Sequence, residues 1–293
     1  MQLIGGANLA GRTTIVRAEL ERLLYDDVPH GDLTTELLGI GDQPAIMRFS
    51  ARGAMVLALA AEAAAIIEIA GGKVETQTRD GQNLAPGDPI LCATGPAAAL
   101  LQGWKVAQTL VEVWSGVASA TRGIIDAARA VSPDIGVACT RKNMPGVKSF
   151  AVAAVRAGGG AMHRLGLSET VLVFPDHLAF LPDESLESLA SRLRRSAPEK
   201  KLVIEVGSVE AAMNAAQAGF DVIQAEKFPP SEIKKLANQL AFMARRPVIA
   251  AAGGVNRSNA AAYAEAGADL LVTSAPYYAP PCDVSVHFSR APE

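Results

Sequence analysis

The pattern of apolar and polar positions divides the chain into two regimes. In the second half, short apolar runs recur: "DIGVACTRK", "TVLVFPDH", "KLVIEVGS", "DVIQAEK", "PVIAAAGG" and "DLLVTSAP". Segments with helical spacing, such as "SVEAAMNAAQAG" and "SEIKKLANQLAFMARR", separate most neighbours. Strands alternating with helices predict a parallel sheet with crossover helices. Each run ends in polar or small residues at its C-terminal side, where a β/α barrel assembles its site. A doubly wound sheet is the competing architecture, but no G-x-G-x-x-G follows a first strand. Six runs fall short of eight, so the pattern predicts an incomplete barrel or a strand hidden from the periodicity.

The first half reads as α+β. Residues 12–27 have helical spacing, and "VPHGDLTTELL" follows as a polar loop. "AIMRFSARGAMVLAL" predicts two short strands around Arg52 and Gly53, and "AAEAAAIIEIAGG" a helix stopped at Gly71. "KVETQTRDGQNLAPGDPILCATG" alternates and turns at Asp80-Gly81 and Pro86-Gly87, so it predicts strand and turn. An Ala-rich helical region covers about 97–131, with an interruption expected near Gly116.

Composition narrows the function classes. With 293 residues, 49% of them hydrophobic, the chain can bury one large core or two ordinary ones. A net charge of −3 offers no broad basic surface for nucleic acid. Cys92, Cys139 and Cys282 lie far apart and form neither a C-x-x-C pair nor an even disulfide set, which points to a reducing compartment. "MQLIGGANLAG" lacks a basic start and a long apolar core. The most apolar stretch, "GAMVLALAAEAAAIIEIAGG", is cut by Glu62 and Glu68, so no membrane span is expected. A cytoplasmic protein is the expectation.

Chemistry-bearing residues collect at the predicted strand ends. They are Thr140, Arg141 and Lys142; Asp176 and His177; Glu205; Glu226 and Lys227; Gly253 and Gly254; Thr273 and Ser274. Cations beside carboxylates at one rim suit an anionic substrate held with a divalent metal, since Mg²⁺ commonly uses one or two carboxylates plus substrate phosphates. Two adjacent glycines before a helix can present backbone N–H groups to a phosphate. Each residue also has a structural reading. Arg141-Lys142 and Glu226-Lys227 can be solvated pairs, Gly253-Gly254 a tight turn, His163 a satisfied structural histidine and Cys139 a small core residue. Glu205 fits an exposed loop poorly, because it lies inside an apolar run and a buried carboxylate needs a partner.

"TRKNMPG" followed by "GGGAMHRLGL" resembles the quinolinate phosphoribosyltransferase, or nicotinate-nucleotide pyrophosphorylase, family. "DDVPHGDLTT", "WSGVASAT", "EV", "AGGV" and "GAD" extend the resemblance over about residues 20–288. It implies an N-terminal α/β sandwich domain over 1–108, an incomplete, seven-stranded β/α TIM-like barrel over 109–275, and a tail over 276–293 packing on the first domain. It also implies transfer of ribose 5-phosphate from phosphoribosyl pyrophosphate to a ring nitrogen, with Mg²⁺ as cofactor. Arg141, His163 and Arg164 would line the acceptor pocket with Thr140. Lys142 would serve acceptor or donor, Glu205 and Glu226 the ribose and metal side, and Gly253 and Gly254 the 5-phosphate. The resemblance implies a homodimer at least, with Lys105 supplied across the subunit interface.

The departures are informative. The family's strand after HRLGL ends in a lysine, where this chain has Phe174. The family's arginine is Lys105, its Leu-Asp-Asn is Ala225-Glu226-Lys227, and its Ser-Gly-Gly is Ala252-Gly253-Gly254. These departures resemble the ModD-like branch, named for its association with molybdenum transport. Three readings stay open: a phosphoribosyltransferase with a changed acceptor, small and anionic or heteroaromatic; an authentic quinolinate enzyme in which Lys105 or Lys227 replaces the lost cation; and a non-catalytic anion-binding protein.

Overall fold

The computed structural model describes residues 15–292. The expectation of no leader at the N-terminus, and the first residues of the helix expected at 12–27, lie outside them. Two compact units emerge. One comprises the described residues through Arg122, Met144–Gly159 and the residues from Pro276 on; the other comprises Gly123–Asn143 and Gly160–Ala275.

The first unit begins with helices α1 (Arg17–Asp27) and α2 (Leu33–Leu38). The second of these lies where a polar loop was expected. Asp32 caps it, its carboxylate accepting from the backbone N–H groups of Thr34 and Thr35. Strand β1 (Pro44–Ala51) buries Ala45, Met47, Phe49 and Ala51 on one face, as a two-residue period requires. After β2 (Met55–Val56) come α3 (Ala60–Ile69), β3 (Lys73–Gln77), β4 (Asn83–Leu84) and β5 (Pro89–Pro96). A four-stranded antiparallel sheet forms in the order β13-β1-β5-β3, where β13 (Val284–Arg290) comes from the C-terminal end. Strands β2 and β4 pair separately.

Helix α4 (Ala97–Arg129) runs without the interruption expected at Gly116. That glycine serves close approach rather than a break, because a Cβ there would meet the Pro280 carbonyl oxygen at 2.3 Å. Helix α5 (Lys148–Ala157) ends at Gly158, which fits beneath the Ala118 carbonyl oxygen, where a Cβ would come within 2.5 Å.

The second unit is a curled, all-parallel seven-stranded sheet in the order β7-β6-β12-β11-β10-β9-β8. Its strands are β6 (Gly136–Cys139), β7 (Ala161–Met162), β8 (Val171–Val173), β9 (Leu202–Val206), β10 (Val222–Glu226), β11 (Val248–Ala252) and β12 (Leu270–Thr273). The strand hidden from the periodicity is β7, too short to show a period. Helices α6 (Pro175–Leu178), α7 (Leu186–Ser196), α8 (Val209–Gln217), α9 (Pro230–Leu240) and α10 (Ala260–Glu265) alternate with the strands.

Alternate side chains divide between two layers. Ile204, Val206, Ile223, Ala225, Ile249, Ala251 and Leu271 join the large core with the helices. On the opposite face Ala250, Ala252 and Val272 cluster with Val222 and Leu270. Glu205, Gln224 and Glu226 share that second face by parity. Two aspartates fix the register at the strand starts. Buried Asp221 accepts from the Leu202 N–H at 2.9 Å and pairs with Arg194 and Arg245. Asp269 accepts from the Ile249 N–H at 2.7 Å and from Arg246 at 2.8 Å. Stability is therefore built at one end of the sheet, leaving the C-terminal strand ends for chemistry.

Gly116→Ala tests the close approach. A mid-helix glycine changed to alanine ordinarily gains about 1 kcal/mol. Here the contact with Pro280 reverses the sign, and urea denaturation should show a loss of about 1–2 kcal/mol.

Candidate active site

The C-terminal strand ends of the second unit bring together most of the residues singled out by sequence. Beyond β6 come Thr140, Arg141 and Lys142. The Thr140 N–H donates to the Thr273 carbonyl at 2.9 Å, and its hydroxyl accepts from the Lys142 N–H at 3.2 Å, which turns the chain sharply. Beyond β7, the His163 N–H donates to the Cys139 carbonyl at 2.9 Å. His163 is half-buried, and Arg164 is buried with 7% of its surface exposed.

These cations sense one another. Burial, then the neighbouring Arg164 charge, holds the His163 imidazole below its ordinary value, so the ring is neutral at pH 7. Burial and Arg141 likewise lower Arg164. Among the described residues no carboxylate pairs with Arg164. Its guanidinium instead lies over the Phe174 ring, 5.6 Å from the centroid. Phe174 follows β8, and its own N–H donates to His177 Nδ1 at 2.9 Å. The lysine expected of the family at this point is thus replaced by a face that stacks on a cation.

The carboxylates stand on the neighbouring strands. Glu205 accepts a 2.6 Å hydrogen bond from the Gln224 amide. Burial raises the Glu205 pKa most, the Gln224 bond opposes it, Glu226 raises it, Lys142 lowers it and Asp176 raises it. Gln224 and Glu226 on β10, Lys142 beyond β6 and Asp176 beyond β8 therefore share one field with Glu205. Among the described residues no three His, Cys, Asp or Glu side chains converge as a metal cage. Two carboxylates plus substrate oxygens are nonetheless the donor set that Mg²⁺ takes.

At β11 the chain turns through Gly253 (φ +86°) and Gly254 (φ +90°). A Cβ on Gly253 would lie 2.8 Å from Glu226 Oε1 and 2.9 Å from the Lys227 nitrogen. Lys227 itself is left-handed, with φ +58°, and its N–H donates to the Ala252 carbonyl at 2.7 Å. Thr273 is structural: its hydroxyl donates to the Val255 carbonyl at 2.6 Å and accepts from the Ala275 N–H at 3.0 Å.

Lys105 lies in the first unit, on α4. Its ammonium bonds Gln108 at 2.8 Å and covers the Trp104 ring at 3.9 Å. Sequence reasoning missed Gln224 and the backbone of Lys227. The first had a signal, a polar residue in phase with Glu226 inside an apolar strand; the second had none, because lysine carries no preference for the left-handed region.

Two family models match this chain: the quinolinate phosphoribosyl transferase N-terminal domain over residues 32–115 and its C-terminal domain over 117–287. A Rhodobacter capsulatus relative named "Putative pyrophosphorylase ModD" is 45% identical, covering 83% of this chain and 93% of its own. The nicotinate-nucleotide pyrophosphorylase [carboxylating] of Mycobacterium leprae is 30% identical, covering 88% of this chain and 92% of its own. Among solved structures, NadC from Streptococcus pyogenes superposes with a TM-score of 0.86 at 26% identity, covering 96% of this chain and all of that one.

Two expectations follow. In an NMR titration His163 should protonate below about 6.5, and Arg164→Gln should raise its midpoint without reaching that value, because burial remains. The unfolded chain binds the proton more readily, so this histidine should subtract stability as pH falls from about 6.5 toward its folded midpoint. Gly253→Ala should destabilise the fold by about 1–3 kcal/mol in chemical denaturation, through its positive φ and its crowding of Glu226.

Proposed function

Because the chain belongs to the quinolinate phosphoribosyltransferase family, we propose that it moves a 5-phosphoribosyl group from phosphoribosyl pyrophosphate to the ring nitrogen of an acceptor with fewer carboxylates than quinolinate, or a more apolar ring. The observation that carries this reading is the Phe174 ring, whose centroid lies 5.6 Å from the guanidinium carbon of the buried Arg164. The acceptor pocket keeps Arg141, His163 and Arg164 but loses a cation and gains an aromatic face. His163, held neutral, can donate or accept a hydrogen bond without adding charge.

The donor half has different requirements. As the bond from the anomeric carbon to pyrophosphate breaks, positive charge develops on the sugar and negative charge on the leaving group. The ring nitrogen then completes the new C–N bond. Glu205 and Glu226 supply negative potential on the sugar side, and Lys142 supplies positive potential beside them. Gly253 and Gly254 offer backbone N–H groups to the 5-phosphate without a side chain in the way. Mg²⁺, held by Glu205 and Glu226, would neutralise the departing pyrophosphate.

We further propose a homodimer in which Lys105 serves the acceptor pocket of a second copy. Among the described residues no helix is long and apolar enough to cross a membrane. Among the described residues Cys92, Cys139 and Cys282 form no disulfide, which suits a reducing compartment such as the cytoplasm.

Pyrophosphate release from phosphoribosyl pyrophosphate and Mg²⁺ should depend on an acceptor other than quinolinate, screened across monocarboxylate and uncharged nitrogen heterocycles. Phe174→Lys should tighten quinolinate by about 10- to 100-fold, the worth of one charge-assisted bond. Rapid turnover of quinolinate by the unaltered protein would overturn the changed acceptor and leave the carboxylating reaction in its place.

A further inference from the structure

Gln224 occupies a position at which the fold has no need of an amide. Its strand lies within the sheet, paired with β9 on one side and β11 on the other, and the residue is 5% exposed. Its neighbour in register on β11 is the fully buried Ala250, and Val222 precedes it on the same face. An apolar side chain of equal length would fill that space. The amide does so at a disadvantage, because its own carbonyl, Oε1, is buried with no hydrogen-bond partner. What it gains is one bond: Nε2 donates to Glu205 Oε2 at 2.6 Å, across directly paired positions of the two strands.

That bond sorts the two oxygens of Glu205. Oε2 is engaged by Gln224, whereas Oε1 accepts from no protein group among the described residues and is not sealed away from solvent. A carboxylate held by one oxygen presents the other in a fixed direction, and a fixed acceptor is what distinguishes a ligand with a hydroxyl from one without.

We propose that Gln224 is the positioning residue of the donor pocket, gripping one oxygen of Glu205 so that the other accepts a hydroxyl of the bound pentose. The inference rests on the phosphoribosyl reading above and adds to it the residue that sets selectivity for a hydroxylated sugar.

The test uses ribose 5-phosphate and 2-deoxyribose 5-phosphate, titrated calorimetrically into the full-length protein with Mg²⁺, for the unaltered chain and for Gln224→Met. Methionine matches the length of glutamine and removes both amide groups. The unaltered protein should prefer the ribose compound by at least about 10-fold. In Gln224→Met the preference should shrink to within about 3-fold, through weaker binding of the ribose compound and little change for the 2-deoxy compound. Thermal unfolding of the variant should occur at the same or a higher temperature, since the buried unpartnered carbonyl is gone.

A preference unchanged in Gln224→Met would overturn the proposal, leaving Gln224 as packing alone. Equal binding of the two sugars by the unaltered protein would overturn it as well. Binding of neither sugar by the unaltered protein would instead remove the donor reading on which the proposal stands, so the two failures are told apart.

Discussion

A strand in a parallel sheet has two faces, and a slip of one residue exchanges them completely. That constraint governs everything the second unit does. Ile204 and Ile223 must enter the helix-facing core for Glu205 and Gln224 to stand on the other side. The register is held far from the chemistry, by Asp221 and Asp269 at the strand starts, each binding the backbone N–H of an adjacent strand. Neither aspartate reaches a candidate substrate group. Each nevertheless decides which carboxylate faces the site, because a strand that slipped would send Glu205 into the apolar core.

Charge is the second constraint, and it is distributed unevenly. Arg164 is buried with an aromatic ring rather than a carboxylate for company. Desolvating a charge beside a like charge, with no counter-ion, is unfavourable unless something else neutralises it. An aromatic face recovers only about 0.5–2 kcal/mol of that. On the proposed reading, an anionic ligand would relieve what remains. The carboxylate side shows the converse, since Glu205 is held above its ordinary value by burial and by Glu226 and Asp176, with Lys142 as the opposing cation. A site with a positive deficit at one end and a negative one at the other suits a substrate pair whose charges separate during reaction.

The legible part of this architecture was the part written in period. Six strands of the barrel announced themselves as apolar runs, and their polar ends marked Arg141, Lys142, Glu205 and Glu226 before any coordinates. The two-residue β7 could not show a period, and α2 was concealed by the polar residues that cap it. At Gly116 the local signal misled, because a glycine in a helix means a break or a close neighbour, and only the Pro280 backbone distinguishes them. Gln224 was overlooked for a related reason: one amide among apolar residues looks like noise until its partner on the next strand is known.

The donor and acceptor halves of the proposed site are built from different materials, with consequences for how each can change. The donor half depends on backbone conformation. Gly253 and Gly254 adopt positive φ, Lys227 accepts a left-handed geometry, and a Cβ on Gly253 would crowd the Lys227 backbone nitrogen at 2.9 Å. Such features are all-or-none: a methyl group at 253 collides with the carboxylate and with the backbone nitrogen together. The acceptor half depends on side chains projecting from strand ends, where Phe174 can replace a lysine while its backbone N–H still donates to His177. On the proposed reading, substitution there would alter which ring is bound without disturbing the turn that presents it. A fold so arranged would hold the phosphoribosyl half constant by geometry and leave the acceptor half free to diverge. For that reason the exchange of lysine for Phe174 speaks to the identity of the acceptor rather than to the loss of the reaction.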